Sequence, residues 1–135
     1  MQGNDLLLGQ SQLMIIFNWP PKELNPNSRG HFYQLAKVKK KYRKDCFYIA
    51  KSSGITPPKT ESKPHLYIIF QPPDLRRRDL DNCLASIKAG LDGLADAWGV
   101  DDHNFKLTIE MDTENTNGKV LIGFKPDGTD RMGIK

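Results

Sequence analysis

The sequence lacks several features that define common protein classes. It has only two cysteines, Cys46 and Cys83, no C-x-x-C pair and only three histidines, which argues against a disulfide scaffold or a zinc ribbon. Its longest apolar run, Leu13–Phe17, is far shorter than the roughly 20 residues of a membrane-spanning helix. The N-terminus also lacks the basic-then-apolar order of a secretory signal. We therefore expect a cytoplasmic protein with no membrane contact and with reduced, buried thiols.

Positive charge is concentrated in the first half of the chain. Residues 1–63 hold 11 basic and 4 acidic side chains, whereas residues 64–135 hold 9 and 12. This asymmetry favours an anionic partner for the first half and a cation, such as a metal ion, for the second. A chain of 135 residues suits one domain. We predict that the domain occupies residues 13–125, with a flexible leader at 1–12 and a tail at 126–135.

The spacing of apolar residues predicts two helices and four strands. Apolar residues recur every three or four positions at 31–53 and again from Asp81 or Asn82 to Gly99, as in helices with one buried stripe. Gly54 is expected to cap the first helix. Apolar runs rich in β-branched and aromatic residues, or alternating with polar ones, predict strands at 13–19, 65–71, 105–111 and 119–124. The last two strands are expected to form an antiparallel hairpin around the TENTNG loop.

The first predicted helix carries six cations beside its apolar stripe. Most runs of this kind are solvated helix faces, but this one also suits contacts with phosphate. Lys39, Lys40 and Arg43 are therefore candidate DNA-binding residues. The loop before the helix adds Asn25, Asn27 and Arg29 as further candidates, although turn chemistry explains the asparagines equally well.

The segment RRRDLDN, Arg76 to Asn82, joins the densest arginine run of the chain to two aspartates. The cluster could simply neutralise itself at the surface. In an extended segment, however, Asp79 and Asp81 point the same way and repel each other unless a cation lies between them. Arg76, Arg77 and Arg78 can bind phosphate bidentately. We therefore predict that the aspartates hold a metal ion and that the arginines position a phosphate backbone.

Further charged residues bear on this predicted site. On one continuous helix, Lys88 and Asp92 would share a polar stripe with Asp81. Lys88 is therefore a candidate to stabilise negative charge in a transition state, or to pair with Asp92 as a structural residue. Asp101 and Asp102 follow the helix, and they approach the first two aspartates only if the chain folds back.

The segments P-P-D-L-R-R-R-D-L-D-N, K-x-x-x-D-G-L and V-D-D resemble the signature of RusA-type crossover junction endodeoxyribonucleases, enzymes of bacteria and their prophages. The resemblance is dense over residues 71–105 and thinner over 19–50. It implies a small α+β domain with a mixed sheet of about four strands and two main helices. It also implies a homodimer that acts on four-way DNA junctions with Mg²⁺, or with Mn²⁺ as a substitute.

The resemblance carries the family's metal-binding roles to Asp79, Asp81 and Asp102. The family also uses a helix lysine one turn after the second aspartate, where this sequence has Ala85; Lys88 keeps the spacing to Asp92 and is the candidate for that lysine. The expected function is magnesium-dependent resolution of Holliday junctions in recombination and repair. The alternatives are a nuclease for flaps or other branched DNA, and a non-catalytic DNA-binding module in which the acids are structural.

Overall fold

A computed structural model of the protein describes residues 14–28, 32–57, 63–101 and 105–124. The predicted leader and tail lie outside these ranges. The described residues form four strands and three α-helices, with a short 3₁₀ turn at Lys22–Leu24. In chain order these are β1 Ile15–Asn18, α1 Phe32–Ser53, β2 His65–Gln71, α2 Leu80–Ser86, α3 Lys88–Trp98, β3 Lys106–Met111 and β4 Lys119–Phe124.

The four strands form one mixed sheet in the order β1-β4-β2-β3. β4 runs antiparallel to both of its neighbours, as the pairs Phe17 with Val120 and Phe70 with Val120 show. β2 and β3 run parallel, with His65 opposite Lys106. The connection between these parallel strands contains α2 and α3, as a parallel crossover requires. The predicted α+β class with a mixed four-stranded sheet is therefore confirmed.

The predicted hairpin between the last two strands is wrong. β3 and β4 lie on opposite sides of β2, and the loop that joins them crosses the end of β2. Asp112 N donates to Phe70 O, and Gly118 N donates to Pro72 O. The reason is burial: Val120 and Ile122 are at most 2% exposed, and a central strand buries such residues better than an edge strand. Adjacent strands in sequence are usually neighbours in space, but not always.

The core lies between one face of the sheet and the helices. Alternate residues of β2 are fully buried, and side chains from all three helices, such as Cys46, Cys83 and Leu94, pack near them together with Ile87 between α2 and α3. Both thiols are buried, as predicted. Gly54 adopts a positive φ of 71° after α1, as expected for a helix cap. No helix in the described ranges is long and apolar enough to cross a membrane.

The second predicted helix is interrupted at Ile87. Ile87 has φ −103° and ψ 9°, and its N–H bonds to Leu84 O, three residues back, instead of to the fourth. The Ser86 hydroxyl donates to Asn82 O at 2.8 Å, a bond type that bends helices. Ile87 itself is fully buried. The chain therefore divides into α2 and α3, and a single helical wheel does not relate Asp81 to Lys88.

Candidate functional site

A cavity of about 420 Å³ opens where β1 and β2 end and β4 begins. We call it the acid pocket, and we call this end of the sheet the Gln71 end. Three segments that are distant in sequence form its walls: the W-P-P turn with the asparagine loop, the arginine run, and α2. The lining residues are Trp19, Pro20, Pro21, Lys22, Asn25, Asn27, Arg76, Arg77, Arg78, Asp79, Asn82, Cys83 and Ser86.

The asparagine loop is held by turn hydrogen bonds. Asn25 Oδ1 accepts from Asn27 N at 2.8 Å, and Leu24 N donates to Pro21 O. Turn chemistry therefore accounts for Asn25, as the sequence allowed. Both asparagines are exposed and line the acid pocket, so contact with a ligand remains open to them. Arg29 lies outside the described residues.

Arg78 is a structural residue of the arginine run. Its side chain is only 15% exposed. Its Nη1 donates to Asp74 Oδ1 at 2.8 Å and also lies within hydrogen-bond distance of the carbonyl oxygens of Asp74 and Arg76. Its guanidinium carbon lies 5.6 Å from the ring centre of Trp19, within cation–π range. Arg78 therefore ties the arginine loop to the W-P-P turn.

The other two arginines are exposed. The Arg76 side chain is 79% exposed, and its Nε lies 3.4 Å from Asp74 Oδ1. Arg77 is also exposed and makes no ion pair within the described part of the chain. The hydrogen bond from Arg78, aided by the backbone N–H of Arg76, lowers the pKa of Asp74 to about 2. Asp74 is thus the anionic anchor of the loop, and it leaves Arg77 available to a ligand.

Asp79 lies at the junction between the arginine run and α2. It is the N-cap residue of α2, with an extended backbone, and its carbonyl accepts from Cys83 N. Its carboxylate caps no helix N–H, and Asn82 Nδ2 lies 3.5 Å from its Oδ2. Asp79 is exposed and lines the acid pocket. Asp81 is also exposed, lies in the first turn of α2 and is not part of the pocket wall.

Asp79 and Asp81 offer the hard oxygen donors that Mg²⁺ prefers. Neither makes an ion pair with a described residue, so both charges are available to a cation. Among the described residues there is no group of three or more His, Cys, Asp or Glu side chains arranged to hold a metal. Mg²⁺ is commonly bound by one or two carboxylates together with water and substrate phosphate. The donor set therefore fits this ion.

The third predicted ligand, Asp102, lies outside the described residues, as does His103. Asp101 is exposed and follows the end of α3. That end packs against the opposite end of the sheet, because Trp98 stacks on Phe124 and Phe124 pairs with Leu66 near the start of β2. The structure therefore does not bring Asp101 to the acid pocket.

Lys88 lies in a second cavity, of about 410 Å³, between α1 and the helices α2 and α3. We call it the basic groove. Lys88 shares its walls with the candidate DNA-binding residues Lys39, Lys40 and Arg43. Ala85, at the position of the family lysine, also lines it. Lys88 thus groups with the cations of α1 and does not line the acid pocket with Asp79.

Among the described cations of the groove, Arg43 pairs with acids on α3. Its Nε donates to Asp96 Oδ2 at 2.7 Å, its Nη2 donates to Asp96 Oδ1 at 3.0 Å, and its Nη1 lies 4.0 Å from Asp92 Oδ2. This bidentate pair clamps α1 to α3. Lys41 is also paired, with Asp45 one turn along α1.

Trp19 and Ser86 are among the pocket residues that the sequence did not predict to be functional. The W-P-P break after a strand marks the first as a strand-end residue, but only the fold places it beside Arg78. Ser86 is 6% exposed and satisfied by Asn82 O, and no sequence signal distinguishes it from other helix serines. Burial raises the pKa of the Cys83 thiol, so this pocket cysteine is a poor nucleophile and metal ligand.

Comparison with known proteins leaves the family open. No protein-family model matches the sequence. A protein of the bacterium Xylella fastidiosa, described as uncharacterized, is 40% identical over 90 residues, which cover 64% of this chain and 58% of the relative. The chain thus spans less than two thirds of the length of this relative. The match shows that a similar chain exists in a bacterium, and the relative's description names no activity.

Proposed function

We propose that the protein is a magnesium-dependent endonuclease that resolves four-way DNA junctions, as the RusA-type enzymes it resembles do. The observation that carries this proposal is the composition of the acid pocket. Asp79 and the exposed arginines Arg76 and Arg77 line one cavity, and Asp79 is not neutralised by any of the described cations. Such a site keeps the negative charge of Asp79 and the positive charges of the arginines available. This suits a metal ion that binds together with a DNA phosphate.

Each of the proposed site residues would then have a distinct role. Asp79 and Asp81 would hold the ion, with Asp102 as the family-derived third ligand. When bound, Mg²⁺ polarises a phosphodiester and lowers the pKa of an attacking water. Arg77 and Arg76 would orient the scissile strand by binding phosphate oxygens bidentately, and such contacts provide affinity more than sequence choice. Arg78 keeps the loop in place through Asp74 and Trp19.

The resemblance also supplies the remaining parts of the proposal. The active form would be a homodimer whose two sites nick symmetric strands of the junction in the bacterial cytoplasm, encoded by the bacterium or by a prophage. The bacterial relative supports a bacterial source and nothing further. The nicks would leave a 5′-phosphate and a 3′-hydroxyl, and Mn²⁺ would substitute for Mg²⁺.

A non-catalytic DNA-binding module is the second candidate. The exposed lysines of the basic groove favour it, and aspartates are also common at helix starts for purely structural reasons. In that case the basic groove and the arginines would bind DNA, and no strand would be cut.

The test uses an end-labelled synthetic four-way junction in millimolar MgCl₂, with products resolved on a denaturing gel. The wild type is expected to cut symmetric strands and to show no cleavage in the presence of a chelator. Asp79→Asn is expected to lower the single-turnover rate by at least about 100-fold. Asp45→Asn is the matched control, since among the described residues Asp45 forms an ion pair only with exposed Lys41 on α1, and it should cut at the wild-type rate.

The outcomes separate the candidates. Cleavage that survives Asp79→Asn rules out the assigned site. Binding without cleavage by the wild type supports the non-catalytic module. Preferential cutting of flaps or three-way junctions over a four-way junction with the same arm sequences would instead identify a nuclease for other branched DNA.

A further inference from the structure

We propose that the basic groove is a second phosphate-binding site, which holds the DNA backbone next to the strand that enters the acid pocket. This inference deepens the proposed function and rests on it for the identity of the ligand. The groove itself is defined independently, by side chains of α1 that face α2 and α3 across a cavity of about 410 Å³. Its occupant is a polyanion.

Positive charge is the feature of the groove that indicates a polyanionic ligand. Lys39 and Lys40 reach it from α1, and Lys88 reaches it from the first turn of α3. All three are exposed, and within the described residues none of them makes an ion pair. Arg43 and Asp92 partly neutralise each other at the groove wall. Three uncommitted ammonium groups on two helices therefore surround one opening.

The shape of the groove favours a chain of phosphates over an isolated anion. Ser86 lines both the basic groove and the acid pocket. Leu24 lines the groove, and the next residue, Asn25, lines the pocket. The two cavities therefore adjoin along the 3₁₀ turn and the end of α2. A single nucleic-acid strand that places one phosphate beside Asp79 can continue into the groove.

The residues between the lysines suit a nucleic-acid backbone better than a peptide ligand. Ala85 and Ala89 are small and leave the opening wide. None of the described residues that line the groove or the pocket is a large exposed apolar side chain that could anchor an acidic helix. Lysine ammonium groups are flexible point charges that follow phosphates without reading bases. The groove therefore adds affinity and strand direction to the site, without sequence preference.

The proposal assigns Lys88 to binding. The sequence pattern made it a candidate for transition-state stabilisation, on the assumption of one helix from Asp81 to Gly99. The break at Ile87 and the shared wall with Lys39 and Lys40 place it instead with the cations of the groove. Lys88→Gln is thus expected to act on DNA affinity in the same way as changes to the α1 lysines.

The test measures binding separately from cleavage. A fluorescent junction and a duplex are titrated in EDTA, by anisotropy, over a series of salt concentrations. The variants are Lys39→Gln/Lys40→Gln and Lys88→Gln. The control is Lys37→Gln/Lys44→Gln, which makes the same charge change as the double variant on the same helix, at positions that do not line the groove. Circular dichroism melts establish that each variant is folded.

The groove double variant is expected to weaken binding about tenfold or more, and to lower the slope of log K against log salt by about 2 on duplex DNA. Lys88→Gln should lower that slope by about 1. The control should weaken binding by less than about twofold. Equal losses in the groove double variant and the control overturn the proposal, because then only net charge matters. Unchanged affinity in both groove variants overturns it as well.

Failure of this inference is distinguishable from failure of the proposed function. If the wild type binds junctions and never cuts them, the nuclease proposal is wrong, while the groove variants still report on the groove. If the wild type cuts and the groove double variant binds like the control, the nuclease proposal stands and the groove proposal is wrong.

Discussion

Gly93 on α3 lies directly against the backbone carbonyl of Arg43 on α1, closer than a residue with a Cβ would allow. The Arg43 side chain then extends to Asp96, one turn further along α3. The two helices therefore touch through backbone at one point and are clamped by an ion pair beside it. The glycine of the D-G-L motif is thus explained by the close packing of α3 against α1.

Gly93→Ala is expected to destabilise the protein by about 1–3 kcal/mol, the usual cost of overpacking, although alanine is the better helix former by about 1 kcal/mol. Gly90→Ala is the matched variant. A Cβ there would approach only side-chain atoms, Tyr42 Cε2 at 2.8 Å and Cys46 Sγ at 3.0 Å, which can shift. Urea unfolding should rank Gly93→Ala as the more damaging; a larger loss at Gly90 contradicts the packing assignment.

Adjacent arginines should behave differently. Arg77→Gln is expected to leave the unfolding free energy within about 0.5 kcal/mol of wild type and to lower DNA affinity, since Arg77 is exposed and unpaired among the described residues. Arg78→Gln should cost about 1–2 kcal/mol of stability, because a mostly buried group loses its bonds to Asp74 and Arg76. Chemical denaturation and anisotropy measure the two effects. The assignment fails if Arg77→Gln is the less stable variant.

Acid should loosen the arginine loop through Asp74. The hydrogen bond from Arg78 and the N–H of Arg76 lower the Asp74 pKa from 3.8 to about 2. A folded-state pKa below the unfolded one gives stability that is fully present above about pH 4 and is lost as the pH falls towards 2. Urea midpoints of wild type and Asp74→Asn should therefore differ at pH 6 and converge near pH 2. A difference that persists at pH 2 contradicts this linkage.

Metal binding should be visible as stability, without any cleavage assay. In EDTA, Asp79→Asn is expected to unfold within about 0.5 kcal/mol of wild type, since Asn and Asp serve equally well at an N-cap and the carboxylate caps no N–H here. With Mg²⁺ at about ten times its Kd, the wild type alone should gain about 1.4 kcal/mol. An equal Mg²⁺ gain in the variant would place the ion elsewhere.

Local patterns predicted most of the elements but not how they are arranged. Periodicity located α1 and β2, and Gly99, with φ 70° after α3, ends the last helix where the sequence predicted. The break at Ile87 was hidden, because Leu84, Ile87, Leu91 and Leu94 keep helical spacing straight through it. The Ser86 hydroxyl, which donates to Asn82 O at the end of α2, accompanies the break, and the sequence alone does not show which partner a helix serine binds.

The arrangement of the site could not be predicted from local sequence patterns either. The parallel pairing of β3 with β2 was not predicted, and its direction sends Asp101 away from Asp79. Neighbouring strands at 105–111 and 119–124 favoured a hairpin by proximity in sequence. Burial of Val120 and Ile122 between two strands outweighed that proximity, and it is a property of the whole sheet.

The central position of β4 has a consequence for synthesis of the chain. β1 and β2 meet only through β4, so neither can complete its hydrogen bonding until the ribosome has released the residues up to Phe124. Until then the nascent chain exposes strand edges and apolar side chains, which favours association with other chains. The β1–β4 pairing closes a loop of about one hundred residues, and such distant contacts slow folding. We therefore expect late, cooperative folding and a benefit from chaperones during expression.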